Sequence, residues 1–516
     1  MSPVAGETSP RPPDEGWVRR LFFGLALLYV LPFWTVHYLP TVDGPCHTYN
    51  AWIIRQYGNS ERYPLFQRYY EINAQPYPNW ISQGTMALLM LAVPPLVAEK
   101  LFVSLYALVF LGGAWYLAGA VKPGDRWLAF LAFPFVHNHT FQFGFYNFSM
   151  GLALFPWILG FWWRRRDRVD LGYVVGMNLL LWLCYFSHSL AFALSLLGVA
   201  VLWLGTLPLN GRDNWRRHLL HIPALAPQVV LPLWYLAVEG GGPEPSPWTL
   251  IELLRYLLEL QVLFVFDGVQ RWLGVALAGA FFVLVLLTLR RRRLLPREGD
   301  AFLLLALVLT LFYFLSPEGL MGGTMLKNRL SLYPWLALIP WLSPGLGTRA
   351  RRVAVAALAL VLLLNAGYLV RWYRTLSGEM DRYLAALEPV RPDTRLLPLR
   401  FRHNTPAAKV NVLGHAVSYV ALEKGLVDWD NYEATSSHFP TRFRDSAPPP
   451  NTGELESRPG FVRTRLWKNR ADYVYTWQMP PDHPLGSRLE RFYDPVLTEN
   501  GGVLWERRRG EARTAR

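Results

Sequence analysis

The chain has 516 residues, of which 52% are hydrophobic and 15% aromatic, while only 17% are charged. This composition excludes an ordinary soluble domain, which carries roughly 25% charged residues, because the apolar residues collect in runs long enough to cross a bilayer. The net charge of +14 does not indicate nucleic-acid binding either, because the arginine clusters stand at the ends of those runs, as in the cytoplasmic loops of membrane proteins.

The apolar runs and the basic clusters together predict an α-helical, polytopic membrane protein with about eleven transmembrane helices. If Arg19 and Arg20 hold the N-terminus in the cytoplasm, every later arginine cluster faces the same side, as expected in a bacterial inner membrane. These clusters lie at residues 164–168, 212–217, 290–293 and 349–352. The predicted spans are residues 21–36, 101–121, 127–137, 148–163, 171–186, 190–207, 219–238, 272–289, 302–315, 330–342 and 353–370.

The first outer loop, residues 37–98, contains a second apolar segment at 81–97. Counting this segment as a span would move every arginine cluster to the outer face, and the pair Pro94-Pro95 interrupts it. We therefore expect an interfacial helix that lies on the outer membrane surface. Residues 1–370 then form the transmembrane domain.

After Arg371 the charge and proline content rise, and the apolar runs shorten to the length of strands. This change predicts a small α+β domain, residues 371–516, on the outer face. Asn500-Gly501-Gly502 is typical of a hairpin turn. The predicted elements are strands at 395–401, 471–477 and 503–507 and a short helix at 414–424.

The run Asp43-Gly-Pro-Cys-His47 follows the first span and opens the outer loop. Asp43 with Pro45 predicts the start of a helix, with Asp43 as N-cap and His47 one turn further on the same face. Asp43 is a candidate general base for an acceptor hydroxyl, and His47 is a candidate to orient it or to contact a phosphate. The alternative is a simple helix cap, and a helix N-terminus lowers the pKa of a carboxylate, which weakens it as a base.

Lys327 and Arg329 lie where the outer loop after residue 315 enters the tenth span. Two cations on the outer side run against the positive-inside trend. They are candidates for binding an anionic lipid phosphate. Ordinary snorkelling towards the lipid headgroups is the alternative.

Four polar residues at the outer ends of spans are candidates for lining a cavity. Three histidines at one depth could hold a divalent metal or relay protons, whereas local hydrogen bonding at span ends is the alternative. The loop 239–269 is either a mobile lid, hinged at 240–242, or a solvated interfacial helix. The four cavity candidates are His137, His139, Asn147 and His188.

The cysteine count and the absence of common motifs limit the chemistry. Cys46 and Cys184 are the only cysteines, which excludes a disulfide framework and a cysteine-rich metal site. The sequence has no P-loop and no HExxH or GxSxG motif, which argues against an ATP-driven pump, a zincin or a serine hydrolase.

In its layout the chain resembles the GT-C superfamily of integral-membrane glycosyltransferases, which includes protein O-mannosyltransferases and aminoarabinose transferases. The resemblance rests on Asp43 at the start of a long first outer loop, the segment 81–97 within it, the many spans and the outer domain after Arg371. It implies that Asp43 is the catalytic base. Many members carry two acidic residues in this loop, whereas Gly44 follows Asp43 here, so His47 is the candidate for the partner's role.

The resemblance further implies transfer of a sugar from a polyprenyl-phosphate donor to an acceptor at the outer membrane face, with Lys327 and Arg329 placed by position near the donor phosphate. One base and one displacement favour inversion. Some members need a divalent metal, and the sequence leaves that choice, the sugar and the acceptor open. The alternatives are a transporter or flippase of lipid-linked sugars and a membrane scaffold whose outer domain binds partners.

Overall fold

The computed structural model describes residues 15–207, 218–292, 297–402, 408–458 and 469–508. The predicted basic loop at 212–217 and Arg293 lie outside the described residues. The helices, in chain order, are α1 (Glu15–Trp34), α2 (Gly44–Gln56), α3 (Pro64–Tyr69), α4 (Ile81–Leu89), α5 (Pro95–Val121), α6 (His139–Gln142), α7 (Tyr146–Arg165), α8 (Leu171–Ser187), α9 (Ser189–Thr206), α10 (His221–Leu225), α11 (Val230–Val238), α12 (Leu250–Leu258), α13 (Gly268–Arg290), α14 (Ala301–Leu315), α15 (Leu326–Leu330), α16 (Tyr333–Leu338), α17 (Thr348–Ala385), α18 (Val417–Lys424), α19 (Thr452–Ser457) and α20 (Pro484–Leu489).

Seven helical segments of the described chain are long and apolar enough to cross a membrane, and each overlaps one of the predicted spans. They are Gly16–Trp34, Pro95–Val121, Ser189–Thr206, His221–Val238, Gly268–Arg290, Glu298–Leu315 and Thr348–Ala385. These seven confirm a multi-pass helical membrane protein. The count of eleven is not confirmed and stays a prediction.

The other four predicted spans take different forms. Residues 127–137 lie mostly in a 3-10 helix, Pro123–Phe135, which contains Pro134. Residues 148–163 lie in α7, and residues 171–186 lie in α8, which has 17 residues. Residues 330–342 are divided between α16 and a 3-10 turn, Ile339–Trp341, because Pro334 and Pro340 interrupt regular helical hydrogen bonding.

The segment 81–97 does not form one spanning helix. Its helical part, α4, has 9 residues and is about 13 Å long, which is less than half of the hydrocarbon thickness. α4 buries Ser82, Gln83, Met86 and Ala87 and packs against α2. Pro95 then starts α5, where its missing N–H costs nothing.

The C-terminal region forms a five-stranded sheet with the strand order β3-β2-β5-β7-β6. β2 (Arg395–Arg400), β5 (Tyr473–Trp477) and β7 (Gly502–Arg507) correspond to the predicted strands, and α18 corresponds to the predicted helix. Asn500 and Gly501 have φ values of 52° and 87° and join β6 (Tyr493–Glu499) to β7, so the predicted hairpin turn is present. β3 is Val427–Asp428.

The segment between α1 and α5 and the C-terminal region are joined by a second, two-stranded sheet. β1 (Tyr70–Ile72) pairs antiparallel with β4 (Thr441–Phe443), with Tyr70 opposite Phe443. α17 runs without interruption through Arg371, where the domain boundary is predicted, and ends at Ala385. The sheet pairing places the segment after β3 directly over the start of α2.

Candidate active site

A cavity of about 1040 Å³ lies between α9, α11, the loop 320–326 and the segment 432–439. Its larger part is apolar and is lined by side chains of α9 and α11, including Phe192, Leu196, Leu233 and Leu236. Its other end is polar. The polar residues that line that end are Asp43, His47, Asn147, His188, Arg329, His415 and Tyr432.

The backbone of Asp43 is fixed by a hydrogen bond, and its side chain does not cap α2. Its N–H donates to the carbonyl of Phe143 at 3.1 Å, and its side chain makes no capping hydrogen bond to α2. Gly144 packs against this backbone with φ +91°, and a Cβ there would lie 2.4 Å from the Asp43 nitrogen. The close approach and the left-handed conformation both require glycine. The predicted helix start is correct, whereas the predicted side-chain cap is wrong because the carboxylate bonds elsewhere.

The Asp43 carboxylate is 4% exposed and bonds to groups from the C-terminal region. The Tyr432 hydroxyl donates to Oδ2 at 2.8 Å, and His415 Nε2 lies 3.7 Å from Oδ1. Burial raises the pKa of Asp43 to about 6, although His415 and Tyr432 oppose the shift. The argument from the helix N-terminus predicts a lowered pKa for Asp43, because burial is not visible in the sequence.

His415 connects Asp43 to a second buried carboxylate. Its Nδ1 lies 3.2 Å from Asp430 Oδ2, and Arg400 Nη1 donates to the same oxygen at 2.7 Å. Burial lowers the pKa of His415, but Asp430 and Asp43 outweigh it and leave the pKa above its ordinary value. The imidazole therefore lies between two carboxylates that both favour its protonated form.

His47 has a buried acidic partner that is distant in sequence. Its Nδ1 lies 2.8 Å from Glu433 Oε1, and Asn50 and Gln83 donate to the other Glu433 oxygen at 2.8 Å and 2.7 Å. Burial lowers the pKa of His47, but the carboxylates of Glu433 and Asp43 raise it above its ordinary value overall. His47 thus stands beside Asp43 as an imidazole that is fixed by Glu433 and has a raised pKa.

Arg329 is a buried cation at the same end of the cavity, with 7% of its surface exposed. Its Nη1 lies 2.7 Å from His188 Nε2, and its guanidinium carbon lies 4.2 Å from the centre of the Phe145 ring. Among the described residues no carboxylate forms an ion pair with Arg329, and its buried Nε has no hydrogen-bond partner. The guanidinium therefore has unused donor capacity towards an anion.

Asn147 and His188 line this cavity, and both are fixed by hydrogen bonds. The Asn147 Oδ1 accepts from the N–H of Ser82 at 2.8 Å. His188 is the N-cap of α9 and accepts from the N–H of Leu190 at 3.1 Å.

Three predicted site residues lie elsewhere. The Lys327 ammonium donates to the carbonyls of Tyr313 and Phe314 at 2.8 Å and 3.0 Å, where it satisfies the C-terminal end of α14. His137 bonds to the Tyr373 hydroxyl and the Tyr29 carbonyl and lines a separate apolar cavity of about 210 Å³. His139 packs on Phe143 and is not among the residues that line the cavity beside Asp43. The three histidines predicted at one depth are thus not brought together.

The part of the chain that the structure describes contains no group of three or more His, Cys, Asp or Glu residues placed to hold a metal ion.

Sequence reasoning missed the three C-terminal residues nearest to Asp43 and His47, namely His415, Tyr432 and Glu433. A signal for two of them was present in the sequence. The run from Asp428 to Glu433 contains five polar residues out of six directly after a strand, and polar residues at a strand end often contribute to a site.

No protein-family model matches the sequence, and no curated protein matches it. Among solved structures, the chain is similar to ArnT from Cupriavidus metallidurans in the apo state, with a TM-score of 0.54. The match has 12% sequence identity and covers 95% of this chain and 97% of that chain. The likeness therefore concerns the fold, over almost the full length of both proteins. It confirms the GT-C-like membrane fold that the layout of the sequence predicts.

Proposed function

We propose that the protein is a GT-C-type glycosyltransferase that moves a sugar from a polyprenyl-phosphate donor to an acceptor at the outer face of a bacterial inner membrane. The observation that carries this proposal is one cavity that joins a long apolar wall to a buried carboxylate and a buried arginine, which has no carboxylate partner among the described residues. The N-terminus would then be cytoplasmic and the C-terminal region extracytoplasmic. The fold shared with ArnT supports the class of the protein but not the donor.

The shape of the cavity suits a lipid-linked substrate. Its apolar wall faces α9 and α11, where a polyprenyl chain can be shielded from water. At its polar end, the side chains of Asp43, His47 and Arg329 lie close together. A molecule with a hydrocarbon tail and a charged sugar-phosphate head matches both ends of the cavity.

Arg329 is the proposed ligand of the donor phosphate. A buried guanidinium without a carboxylate partner is costly, and a phosphate would supply the missing charge and hydrogen-bond acceptors. The aromatic rings of Phe145 and Phe148 hold the guanidinium on one side, which leaves its edge for the ligand. Lys327 was predicted for the same task, but its bonds to two backbone carbonyls favour a supporting role for it.

Asp43 is the proposed general base. The acceptor hydroxyl attacks the anomeric carbon of the sugar, the bond from that carbon to the phosphate oxygen breaks, and the electron pair leaves with the lipid phosphate. The acceptor's proton goes to Asp43, whose pKa of about 6 keeps it ionised but basic near neutral pH. A single displacement of this kind inverts the anomeric centre. Arg329 neutralises the charge that develops on the leaving group.

The test uses the purified full-length chain with short-chain polyprenyl-phosphate sugars and a panel of acceptors. Asp43→Asn should fold and bind lipid but lose transfer and donor hydrolysis. Asp445→Asn, an exposed carboxylate of the same region, is the matched control and should keep wild-type turnover. Turnover that persists in Asp43→Asn would remove Asp43 from the mechanism. Lipid binding without turnover in the wild type would favour the transporter alternative.

A further inference from the structure

A second cavity, of about 630 Å³, lies at the opposite ends of the transmembrane helices from Asp43. It is formed by the C-terminal ends of α5, α7 and α13, the start of α14 and the segment 341–345. α7 begins at Tyr146, which stacks on His47, and ends at Arg165 after 20 residues. The two cavities are therefore separated by about 30 Å along this helix.

Positive charge dominates the walls of this second cavity, which we call the basic cavity. It is lined by two carboxylates, Glu298 and Asp300, and both are already engaged. Glu298 pairs with Arg166 at 2.5 Å, and Asp300 pairs with Arg292 and accepts from the Trp341 indole at 3.2 Å. The cations that line the cavity are Lys122, Arg166, Arg291, Arg292 and Arg297.

Three of these five cations, Lys122, Arg291 and Arg297, have no carboxylate within ion-pair distance among the described residues. The Lys122 ammonium donates to backbone carbonyls, those of Trp341 and Leu342. The excess charge is consequently not neutralised by this part of the protein.

Two further observations show that the charges of Lys122 and Arg166 are partly withdrawn from water, whereas Arg291 and Arg297 are exposed. Burial lowers the pKa of Lys122 to about 8, with Asp125 opposing the shift and Arg292 and Arg297 adding to it. The Nε of Arg166 is buried and has no hydrogen-bond partner. Like charges and an unpartnered donor in one partly enclosed space are costly, and a bound anion would relieve both.

The remaining lining is apolar and aromatic. Trp163 and Trp341 lie under the guanidinium groups of Arg166 and Arg292, at 4.3 Å and 5.4 Å from the ring centres. Ala120 and Val121 at the end of α5 complete this side. Tryptophans and basic residues at the ends of spanning helices are typical of the level of the lipid headgroups.

We propose that the basic cavity binds a phosphate-bearing anion through Arg291 and Arg297, at the membrane face opposite to Asp43. Guanidinium groups present paired N–H donors that match phosphate oxygens, and a phosphate group carries the charge needed to balance these two unpaired cations. An anionic phospholipid headgroup and a soluble diphosphate group offer this same chemistry. The site is independent of the glycosyltransferase proposal, because none of its residues lines the cavity beside Asp43.

The experiment measures binding to delipidated, full-length protein in neutral detergent, by native mass spectrometry and by the thermal shift. The probes are inorganic diphosphate and a short-chain phosphatidic acid, used separately. The test variant is Arg291→Gln with Arg297→Gln. The matched control is Arg168→Gln, an exposed arginine at the same end of the helices but outside the cavity. Arg329→Gln removes the cation of the other cavity.

At least one probe should bind the wild type, and the double variant should lose about tenfold in affinity for each arginine removed. Arg168→Gln should keep the wild-type affinity, and the loss caused by the double variant should be the same in the Arg329→Gln background, in which the other cavity lacks its cation. Binding of the lipid alone would identify a headgroup, and binding of diphosphate alone would identify a soluble ligand. The proposal is overturned if neither probe binds the wild type, or if the double variant binds as tightly as the control.

Discussion

Replacing Asp43 by asparagine should remove transfer and at the same time make the protein more stable at neutral pH. The Asp43 carboxylate is buried, and its pKa is raised from 3.8 to about 6 by that burial. An asparagine has nearly the same shape and can still accept the hydrogen bond from the Tyr432 hydroxyl. The substitution therefore removes the charge and keeps most of the packing.

The size of the gain in the free energy of unfolding follows from the pKa shift of Asp43. One pKa unit corresponds to about 1.4 kcal/mol, so ionising Asp43 inside the folded protein costs about 3 kcal/mol at neutral pH. Because the folded-state pKa is the higher one, the stability contributed by the protonated carboxyl is complete below pH 3.8. It is lost as the pH rises through about 6. For a chain of this length the gain corresponds to roughly 3 °C in Tm.

The assay is the Tm of wild type, Asp43→Asn and the control Asp445→Asn in one detergent between pH 4.5 and 8. The difference between Asp43→Asn and wild type should grow from pH 4.5 to about pH 6.5 and then stay constant, because Asp43 is then ionised in both states. In parallel, kcat/KM of the wild type should rise about tenfold from pH 5 to pH 7 as the base ionises. The asparagine variant should lose roughly 10²- to 10⁴-fold in rate.

Two results would refute this reasoning. A Tm for Asp43→Asn that is equal to or below that of wild type at pH 7.5 would mean that Asp43 is not a destabilising buried charge. A gain in Tm that is the same at pH 4.5 and pH 7.5 would mean that the gain arises from packing and not from ionisation. Asp445→Asn should match wild type at every pH, since its carboxylate is exposed.

Three further substitutions address the other parts of the site. Arg329→Gln should raise the KM for the donor at least about tenfold, and Arg329→Lys should raise it less. Lys327→Gln should instead lower Tm by about 1 to 3 °C and leave the donor KM unchanged, since Lys327 bonds to backbone carbonyls. Steady-state kinetics and thermal melting distinguish the two roles. Glu433→Gln should lower the pKa of His47, which Glu433 raises, and an NMR titration of the imidazole would contradict the pairing if that pKa did not fall. Ala200→Trp fills the apolar wall and should reduce turnover of a long-chain donor at least about tenfold more than that of a truncated donor; equal effects on both donors would place the lipid chain elsewhere.

The sequence predicted the class of fold and several of its parts correctly. The multi-pass helical architecture, the GT-C-like fold and the C-terminal sheet are confirmed, and the hairpin turn at Asn500 is present with the expected backbone. These features depend on local composition, such as runs of apolar residues and turn residues with positive φ. The span count is the part least well predicted, because the prolines in segments such as 330–342 divide apolar runs into short helices.

The structure brings some of the predicted site residues together and places others elsewhere. Asp43, His47 and Arg329 meet at one end of the cavity, as their positions at the outer ends of spans suggested. Lys327 and His137 have the same sequence signal but bond to backbone carbonyls away from this cavity. A polar residue at a helix end has the same appearance in a sequence whether it caps a helix or faces a cavity.

The apolar runs alone predict a multi-pass helical membrane protein, and the sequence alone shows a carboxylate and an imidazole soon after the first predicted span. Those properties follow from the free energy of moving side chains from water to lipid and from short-range backbone preferences. The tertiary structure decided which groups face Asp43. Tyr432 donates to it across 389 residues of chain, and burial of the carboxylate reverses the expected direction of its pKa shift. Burial and long-range contacts exist only in the folded chain, so no local pattern could have supplied them.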